Sequence, residues 1–371
     1  MKLDKLPTLR IGNLEAKIPI IQGGMGVRIS LAGLASAVAN EGGIGVISAT
    51  GIGIDESDSL ADLAQANSRV LAKEIKRSRQ LTSGIIGINA MVALTDYENL
   101  VTTAFAEQVD IVFAGAGLPL KLPNTISVAQ ITNGPTKFVP IVSSARAANI
   151  IFKSWQNRYN HVPDGIVLEG PLAGGHLGFS LPQITDPNFT LKKLLAEVLP
   201  VADFYGKLFN KKIPVIVGGG IYSGADIYEY LQAGAQGVQM GTRFVTTYEC
   251  DASEKFKEAY VQCKKEDIQI ISSPVGMPGR AIKNTFLKNI EAGMKQKFTC
   301  PFKCLKSCNF KEASYCIAKA LGNAQKGNLD DGFVFCGANA FMADKIVSVH
   351  ELINTLIEEF NLHASSLIPA I

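Results

Sequence analysis

Short apolar runs alternate with helix-like segments through the first two-thirds of the chain. Each run is four or five residues long, is rich in Val and Ile, and ends at or just before a Gly, Asn, Ser or Glu. Apolar strands that alternate with helices are typical of a parallel sheet covered by helices. Eight such runs predict a closed (β/α)8 TIM barrel. The predicted strands are residues 19–22, 45–48, 85–89, 110–114, 138–142, 165–169, 214–217 and 237–240.

Several segments between or after these strands carry the signals of helices. Residues 30–40 stop before Gly42 and Gly43, which are typical of a helix C-terminus. Residues 223–234 begin with Ser-Gly-Ala-Asp, which resembles a capping box. We also predict a helix over residues 191–209 and a last one that begins at the capping-box sequence of residues 348–351.

Two segments are longer than a barrel requires. They are residues 170–212, between the sixth and seventh predicted strands, and a longer stretch that follows the eighth strand. Loops of this length are usually functional, and in a barrel they extend from the face that binds ligands. We therefore expect a barrel over residues 1–246, an inserted region that covers the substrate over 247–331, and a return to the barrel wall over 332–371.

Composition limits the class of protein. The chain has 371 residues, of which 47% are hydrophobic and 19% charged, so it can bury a large core. Its net charge of +3 and the absence of a basic stripe argue against a nucleic-acid partner. The longest runs without a charged residue span 16 positions, fewer than the ~18 that cross a bilayer. With no signal-peptide pattern at the N-terminus, we expect a cytoplasmic protein without a membrane partner.

Glycine-rich segments follow the seventh and eighth predicted strands. In a barrel, these two loops form the usual phosphate site together with the N-terminus of a short helix, and a helix is predicted near Gly224. Glycine lets backbone N–H groups approach an anion closely, and the positive end of a helix adds attraction. The alternative is that these glycines only make tight turns. The two segments are Gly218-Gly219-Gly220 and Gln239-Met240-Gly241-Thr242.

Amide groups are predicted at the carboxyl ends of the first and third strands. Gln22, Gly23 and Gly24 end the first strand, and Asn89 ends the third. On the same face of a barrel, these groups are suited to bind a planar heterocycle. The alternative for Asn89 is an ordinary cap or turn residue.

One of only four histidines lies in a loop after the sixth strand. The segment runs from Glu169 to Gly178, and glycines flank His176 on both sides. A neutral imidazole in a flexible loop can abstract a proton near pH 7. The alternative is a loop histidine that is hydrogen-bonded to backbone.

Together these motifs resemble a known family. In order, PIIQGGMG, GINAM, EGPLAGGHLG, IPVIVGGGI and GAQGVQMGTRF are similar to the nitronate monooxygenases, formerly called 2-nitropropane dioxygenases, whose fold the flavin-dependent enoyl-ACP reductases share. The resemblance covers roughly residues 15–285 and 332–345, and its most specific pieces are AGGH and QMGT. One departure is Glu169, where many members have Gln.

The resemblance implies a barrel that binds FMN without a covalent bond. His176 would be the catalytic base. The phosphate would lie on the loops after the seventh and eighth strands, and the flavin ring and ribityl chain on the other predicted ligands. These two sets are Gly218, Gly219, Gln239, Met240, Gly241 and Thr242, and Gln22, Gly23, Gly24, Asn89, Glu169 and Gly174.

The implied reaction is the oxidation of alkyl nitronates or nitroalkanes with O2. One alternative is an NAD(P)H-dependent enoyl-thioester or quinone reductase, in which NAD(P)H is a co-substrate of the flavin. Others are a barrel that senses or carries flavin and a barrel lyase or isomerase that acts on phosphorylated substrates. We expect a small-molecule substrate as the partner, and a homodimer is one assembly the chain could adopt.

The cysteines are concentrated in the second half of the chain. None precedes Cys250, and Cys300, Cys304, Cys308 and Cys316 follow a C-x3-C-x3-C-x7-C spacing. The thiols could bind a metal or cluster, pack on one helix face, or form a redox disulfide, and we assign no metal ligand from spacing alone. Cys336 is predicted to be a core residue, and the PVGMPGR loop at residues 274–280 and Trp155 to be structural.

Overall fold

Eight parallel strands form a closed barrel in the computed structural model, which describes residues 5–296, 298–300 and 302–366. Each strand pairs with its neighbours in sequence, and the eighth pairs with the first. The predicted fold class is confirmed, and every predicted strand lies within two residues of an observed one. The strands are β1 Ile20–Gln22, β2 Ile44–Ser48, β3 Ile85–Met91, β4 Ile111–Gly115, β5 Lys137–Val142, β6 Ile166–Glu169, β7 Val215–Gly218 and β8 Gly237–Met240.

The interior of the barrel is filled by apolar side chains. Ile21, Phe113 and Ile216 belong to one buried cluster with other strand residues. Leu9 and Ile11, from a hairpin of Leu9–Ile11 and Leu14–Ala16, join this cluster and cover the amino-terminal end of the barrel. Each such side chain contributes about 1.5–3 kcal/mol by leaving water. In the described part of the chain, apolar side chains thus fill the amino-terminal end, and the cavity opens at the carboxyl ends of the strands.

Helices surround the barrel where the sequence predicts them. The helix after β7 begins at Ser223, whose hydroxyl accepts from the Asp226 amide while the Asp226 carboxylate accepts from the Ser223 amide, as the capping box requires. Only the Ser348 half of the last predicted capping box forms, because the Glu351 carboxylate instead pairs with Lys345 at 2.8 Å. The outer helices are Ala32–Asn40, Leu63–Leu81, Tyr97–Ala106, Val128–Thr132, Ala145–Tyr159, Leu191–Leu208, Gly224–Gln232 and Val349–Ser366.

The last helix, Val349–Ser366, packs against Gly224–Gln232 as part of the barrel wall. The approach is so close that a Cβ on Gly224 would lie 2.2 Å from the Leu356 carbonyl oxygen. Glu359 accepts a 2.7 Å hydrogen bond from the Gly224 amide. The end of the described chain therefore occupies the place of the helix that should follow β8.

The segment between β8 and the last helix forms a small antiparallel sheet that the sequence patterns did not indicate. Strand Pro278–Ile282 pairs with Ile268–Ser272 and Val334–Phe335, and also with Gly175–His176 from the loop after β6. The other elements of this region and of the β6 loop are short helices. They are Leu181–Thr185, Thr242–Val245, Glu254–Val261, Thr285–Glu291 and Ile317–Gln325.

The cysteine-rich segment does not form the helix that one of the predicted interpretations required. Residues 302–315 are turns and extended backbone, and only Ile317 begins a helix. All seven cysteines are free thiols. Packing on one helix face is therefore wrong for this segment, and no disulfide forms in this structure. Cys336 is buried in the core as predicted.

Two further observations complete the fold. Trp155 is buried, donates to the Pro119 carbonyl at 2.8 Å and packs against Phe138, so its role is structural as predicted. None of the described helices is both long enough and apolar enough to cross a bilayer.

Candidate active site

A cavity of about 440 Å³ opens at the carboxyl ends of the barrel strands. Its size is in the range of small-molecule sites, and much of its wall is glycine backbone. Twelve of the thirteen predicted site residues line it. They are Gly23, Gly24, Asn89, Glu169, Gly174, His176, Gly218, Gly219, Gln239, Met240, Gly241 and Thr242.

Gln22 is the predicted residue that lies outside the cavity lining. It is fully buried, and its side-chain amide accepts from the Val46 amide at 3.0 Å and donates to the Val46 carbonyl at 3.2 Å. The side chain thus reinforces the pairing of β1 with β2. The structure places it in the barrel wall, below Gly23 and Gly24.

The loops after β7 and β8 present backbone donors to the cavity. Gly219 and Gly220 have φ angles of +98° and +86°, which favour glycine. Within the described part of the chain, the amides of Gly219, Gly220, Gly241 and Thr242 have no acceptor. A cluster of unpaired N–H groups on glycine backbone is suited to bind a phosphate.

The sequence predicts that the helix near Gly224 supports this phosphate site, but in the structure a different helix begins there. The N-terminus of Gly224–Gln232 is already occupied by the carboxylates of Asp226 and Glu359, which accept from the Ser223 and Gly224 amides. The short helix Thr242–Val245, directly after β8, instead begins at the cavity wall. A capping box and a phosphate compete for the same amides at a helix N-terminus. A capping-box sequence therefore argues against a phosphate at that end of the helix.

His176 lies on the cavity wall and is held from outside the barrel. Its two-residue strand pairs with Pro278–Ile282, and its Nε2 lies 2.7 Å from Ser273 Oγ. The imidazole meets the Phe335 ring edge-on at 5.1 Å between centroids. Burial lowers the pKa of His176 to about 4. The imidazole is therefore neutral at pH 7. Its hydrogen-bond partner is the Ser273 hydroxyl and not the backbone group that the alternative interpretation predicted.

Ser273 is a candidate functional residue that the sequence patterns did not identify. The Ser273 amide donates to the Met277 carbonyl at 3.0 Å, and the Gly276 amide donates to the Ser273 carbonyl at 2.9 Å. These two hydrogen bonds close a tight turn. Met277 also lines the cavity. The adjacent PVGMPGR loop was the available signal, but we predicted a structural role for it rather than a contact with substrate. The partner of that turn, His176, is 97 residues away in sequence.

Glu169 faces the cavity from the end of β6. Burial raises the pKa of its carboxyl to about 7, and among the described residues no cation or hydrogen bond opposes this effect. The side chain is therefore protonated in a large fraction of molecules at neutral pH. In that form it can donate a hydrogen bond.

The segment after Gly332 crosses the top of the site and joins its loops. The Gly337 amide donates to Thr242 Oγ1 at 2.9 Å, and the Ala338 amide donates to the Leu172 carbonyl at 3.1 Å. A Cβ on Gly174 would lie 2.7 Å from the Cys336 carbonyl carbon. This segment therefore fixes the histidine loop relative to the loop after β8.

The fold and the cavity define a barrel enzyme with glycine-rich backbone at one end of its site and a neutral histidine on the wall. The sequence model of the nitronate monooxygenase family matches residues 8–359. The chain belongs to this family and is a flavin-dependent oxidoreductase.

Individual relatives agree with this assignment at modest identity. A probable nitronate monooxygenase of Staphylococcus aureus is 26% identical over 313 residues, covering 75% of this chain and 78% of the relative. An octahydro-indene-carboxyl-CoA dehydrogenase of Mycobacterium tuberculosis is 28% identical over 280 residues, covering 75% and 67%. The solved structure of FabK from Thermotoga maritima has 27% identity and a TM-score of 0.72, with 95% of each chain covered.

Proposed function

We propose that this protein oxidises alkyl nitronates and nitroalkanes with O2, using bound FMN and His176 as the base. The observation that carries the proposal is the neutral, partly buried imidazole of His176 on the wall of the cavity, 2.7 Å from Ser273 Oγ. Membership of the nitronate monooxygenase family supports the same reaction.

The residues around the cavity fit FMN. The unpaired amides after β7 and β8 would hold the phosphate, with Gly218, Gln239 and Met240 beside them. The flavin ring would lie against the backbone of Gly23, Gly24 and Gly174, all of which line the cavity. The Asn89 side chain has no partner among the described residues and would bind the polar edge of the ring. Bound FMN would supply the redox chemistry, taking electrons from the substrate and passing them to O2.

His176 would remove the α-proton of a neutral nitroalkane. Its depressed pKa keeps the imidazole free to accept a proton at pH 7, and the nitronate anion formed beside it would stabilise the imidazolium. Ser273 would orient the ring. For a substrate that is already a nitronate, no proton has to be removed, and His176 would only position the anion.

Glu169 would act in its protonated form. A neutral carboxyl can donate a hydrogen bond from the position where the Gln of many family members would do so, and its pKa of about 7 makes this form available. Glu169, in place of the usual Gln, would therefore still offer a hydrogen-bond donor to the flavin ring at neutral pH.

The decisive experiment is to mix the FMN-loaded protein anaerobically with an alkyl nitronate, with NADH or with NADPH, and to follow the flavin absorbance. We expect the nitronate to bleach the flavin and the nicotinamides to leave it oxidised. The variant His176→Asn should then slow oxidation of the neutral nitroalkane at least about 100-fold, while the nitronate is affected less. His350→Asn is the matched control, because His350 is exposed and its contacts are with Glu41 and Asn354, outside the cavity.

The main alternative is an NAD(P)H-dependent reductase of enoyl thioesters. The similarity to a carboxyl-CoA dehydrogenase favours this candidate, because a carboxyl-CoA compound is a thioester, and the chain is also similar to FabK. Bleaching by NADH or NADPH, followed by reoxidation with an enoyl thioester and not with O2, would establish it and exclude nitronate oxidation. A protein that binds no FMN would exclude both.

A further inference from the structure

Four thiols surround a second cavity, outside the site described above. Cys300, Cys304, Cys308 and Cys316 all line it, and its volume is about 180 Å³. Each of the four is partly buried and free. The other lining residues include Phe298, Phe310 and Lys303, so apolar rings and one cation complete the wall.

The backbone brings these cysteines together by wrapping around the cavity. The Cys304 carbonyl accepts from the Thr95 amide at 3.1 Å, and the Lys306 amide donates to the Ala93 carbonyl at 3.0 Å. Leu305 forms a β-bridge with Leu94. These contacts fasten the loop to the segment after β3, while the next turn returns Cys308 toward Cys304.

Cys316 enters from a different element. It is the N-cap residue of helix Ile317–Gln325, whereas the other three cysteines belong to the loop before it. Two elements therefore supply the four thiols.

This arrangement differs from cysteines that act as small hydrophobic residues. Packed thiols would fill the space between them, whereas these four border an open volume. Residues 302–316 also have little regular structure to support their shape. A ligand bound to all four would supply that support.

The size of the cavity distinguishes between ligands. A tetrahedral zinc ion, with Zn–S bonds of about 2.3 Å, would hold its sulfur ligands within about 4 Å of one another. Among the described residues, no group of three Cys, His, Asp or Glu side chains is close enough to hold a single ion. A cubane of iron and sulfide is larger and takes its thiolates at four outer corners. We propose that Cys300, Cys304, Cys308 and Cys316 bind a 4Fe–4S cluster.

The cluster would adjoin the active site. Cys304, Leu305, Ile317 and Ala318 line both cavities, so a single layer of side chains separates them. The cysteine loop is hydrogen-bonded to the segment that follows Asn89 and Met91, two residues of the active-site wall. The cluster would thus brace one wall of the active-site cavity. This inference does not depend on the nature of the substrate or on the role of His176.

The test is to express the full chain under anaerobic conditions with added iron and to measure iron, acid-labile sulfide and zinc per chain. We expect about four irons and four sulfides, and an electron paramagnetic resonance signal of the cluster after reduction by dithionite. Flavin that is fully oxidised or fully reduced gives no such signal. Wild-type protein that holds no iron after reconstitution, or one zinc in its place, would overturn the proposal.

Variants locate the ligands. Cys308→Ser and Cys304→Ser should each lose more than half of the bound iron, while Cys263→Ala should keep it, because Cys263 is buried beside the Lys264 carbonyl and away from the cavity. Circular dichroism would verify that each variant is folded. Iron content unchanged in both serine variants would show that the cluster lies elsewhere and would overturn the assignment. If Cys304→Ser does not fold, the iron content of Cys308→Ser and of the wild-type protein tests the proposal.

Discussion

His176 Nε2 and Ser273 Oγ lie 2.7 Å apart, although 97 residues separate them in sequence. The contact joins the loop after β6 to a hairpin turn in the region after β8, and strand pairing of Gly279 with His176 supports it. The orientation of the proposed base is therefore set by an element that is not part of the barrel.

Replacing Ser273 by Ala should impair the base without removing it. Loss of one hydrogen bond, worth about 1 kcal/mol, should slow oxidation of neutral nitroalkanes roughly five- to tenfold. Oxidation of preformed nitronates should change less, because no proton is removed. Steady-state kinetics with both substrates measures the difference. Ser272→Ala, at the exposed neighbouring position, is the control, and equal losses in both variants would argue against a specific role for Ser273.

The pH dependence of nitroalkane oxidation should report the environment of His176. Only the neutral imidazole accepts a proton, so kcat/KM should fall as the pH drops through the pKa of His176. Because burial lowers that pKa from 6.5 to about 4, the acid limb should have its midpoint well below 6.5. A rate profile recorded on the neutral substrate tests this. A midpoint at or above 6.5 would contradict the buried position of the base.

Glu169→Gln should alter the pH dependence of stability in the flavin-free protein. The pKa of Glu169 is raised from 4.5 to about 7, so the folded protein holds this proton more tightly than the unfolded chain. The wild type should therefore lose unfolding free energy as the pH rises from 4.5 through 7.

The glutamine variant has no such proton to lose. At about pH 8 it should be more stable than the wild type by about 2 kcal/mol, below the limit of ~3 kcal/mol for the full shift because water in the open cavity solvates the carboxylate. Well below pH 4.5 the two proteins should differ little. Denaturant unfolding at both pH values measures the effect, and a difference independent of pH would show that the carboxyl is not the cause.

Gly219→Ala should weaken FMN binding. At φ +98°, alanine would be strained, and its Cβ would lie 2.9 Å from the Ala173 amide nitrogen. The strain, about 1–3 kcal/mol, would displace the amides that face the phosphate and raise the Kd tenfold or more. Flavin titration measures it. Gly322→Ala is the control, because the added Cβ meets no atom within 4 Å, and its Kd should be unchanged.

Much of the site was predictable because it follows from strand ends. Once eight apolar runs are identified as parallel barrel strands, the residues at and just after the end of each run must lie on one face, which places Asn89, Glu169 and Gly219 together. The same reasoning was insufficient for Gln22. Whether the last side chain of a strand points into the cavity or into the wall depends on its neighbour, here the Val46 backbone.

The sequence by itself determined the barrel, its strand bounds, the glycine-rich loops of the cavity and the histidine loop, because each depends on patterns within a few residues. Only the tertiary structure decided which partner holds His176, which helix N-terminus remains open to a phosphate, and that four cysteines surround one cavity. These features are contacts between segments that are distant in sequence, and packing of the whole chain, rather than local preference, brings such segments together.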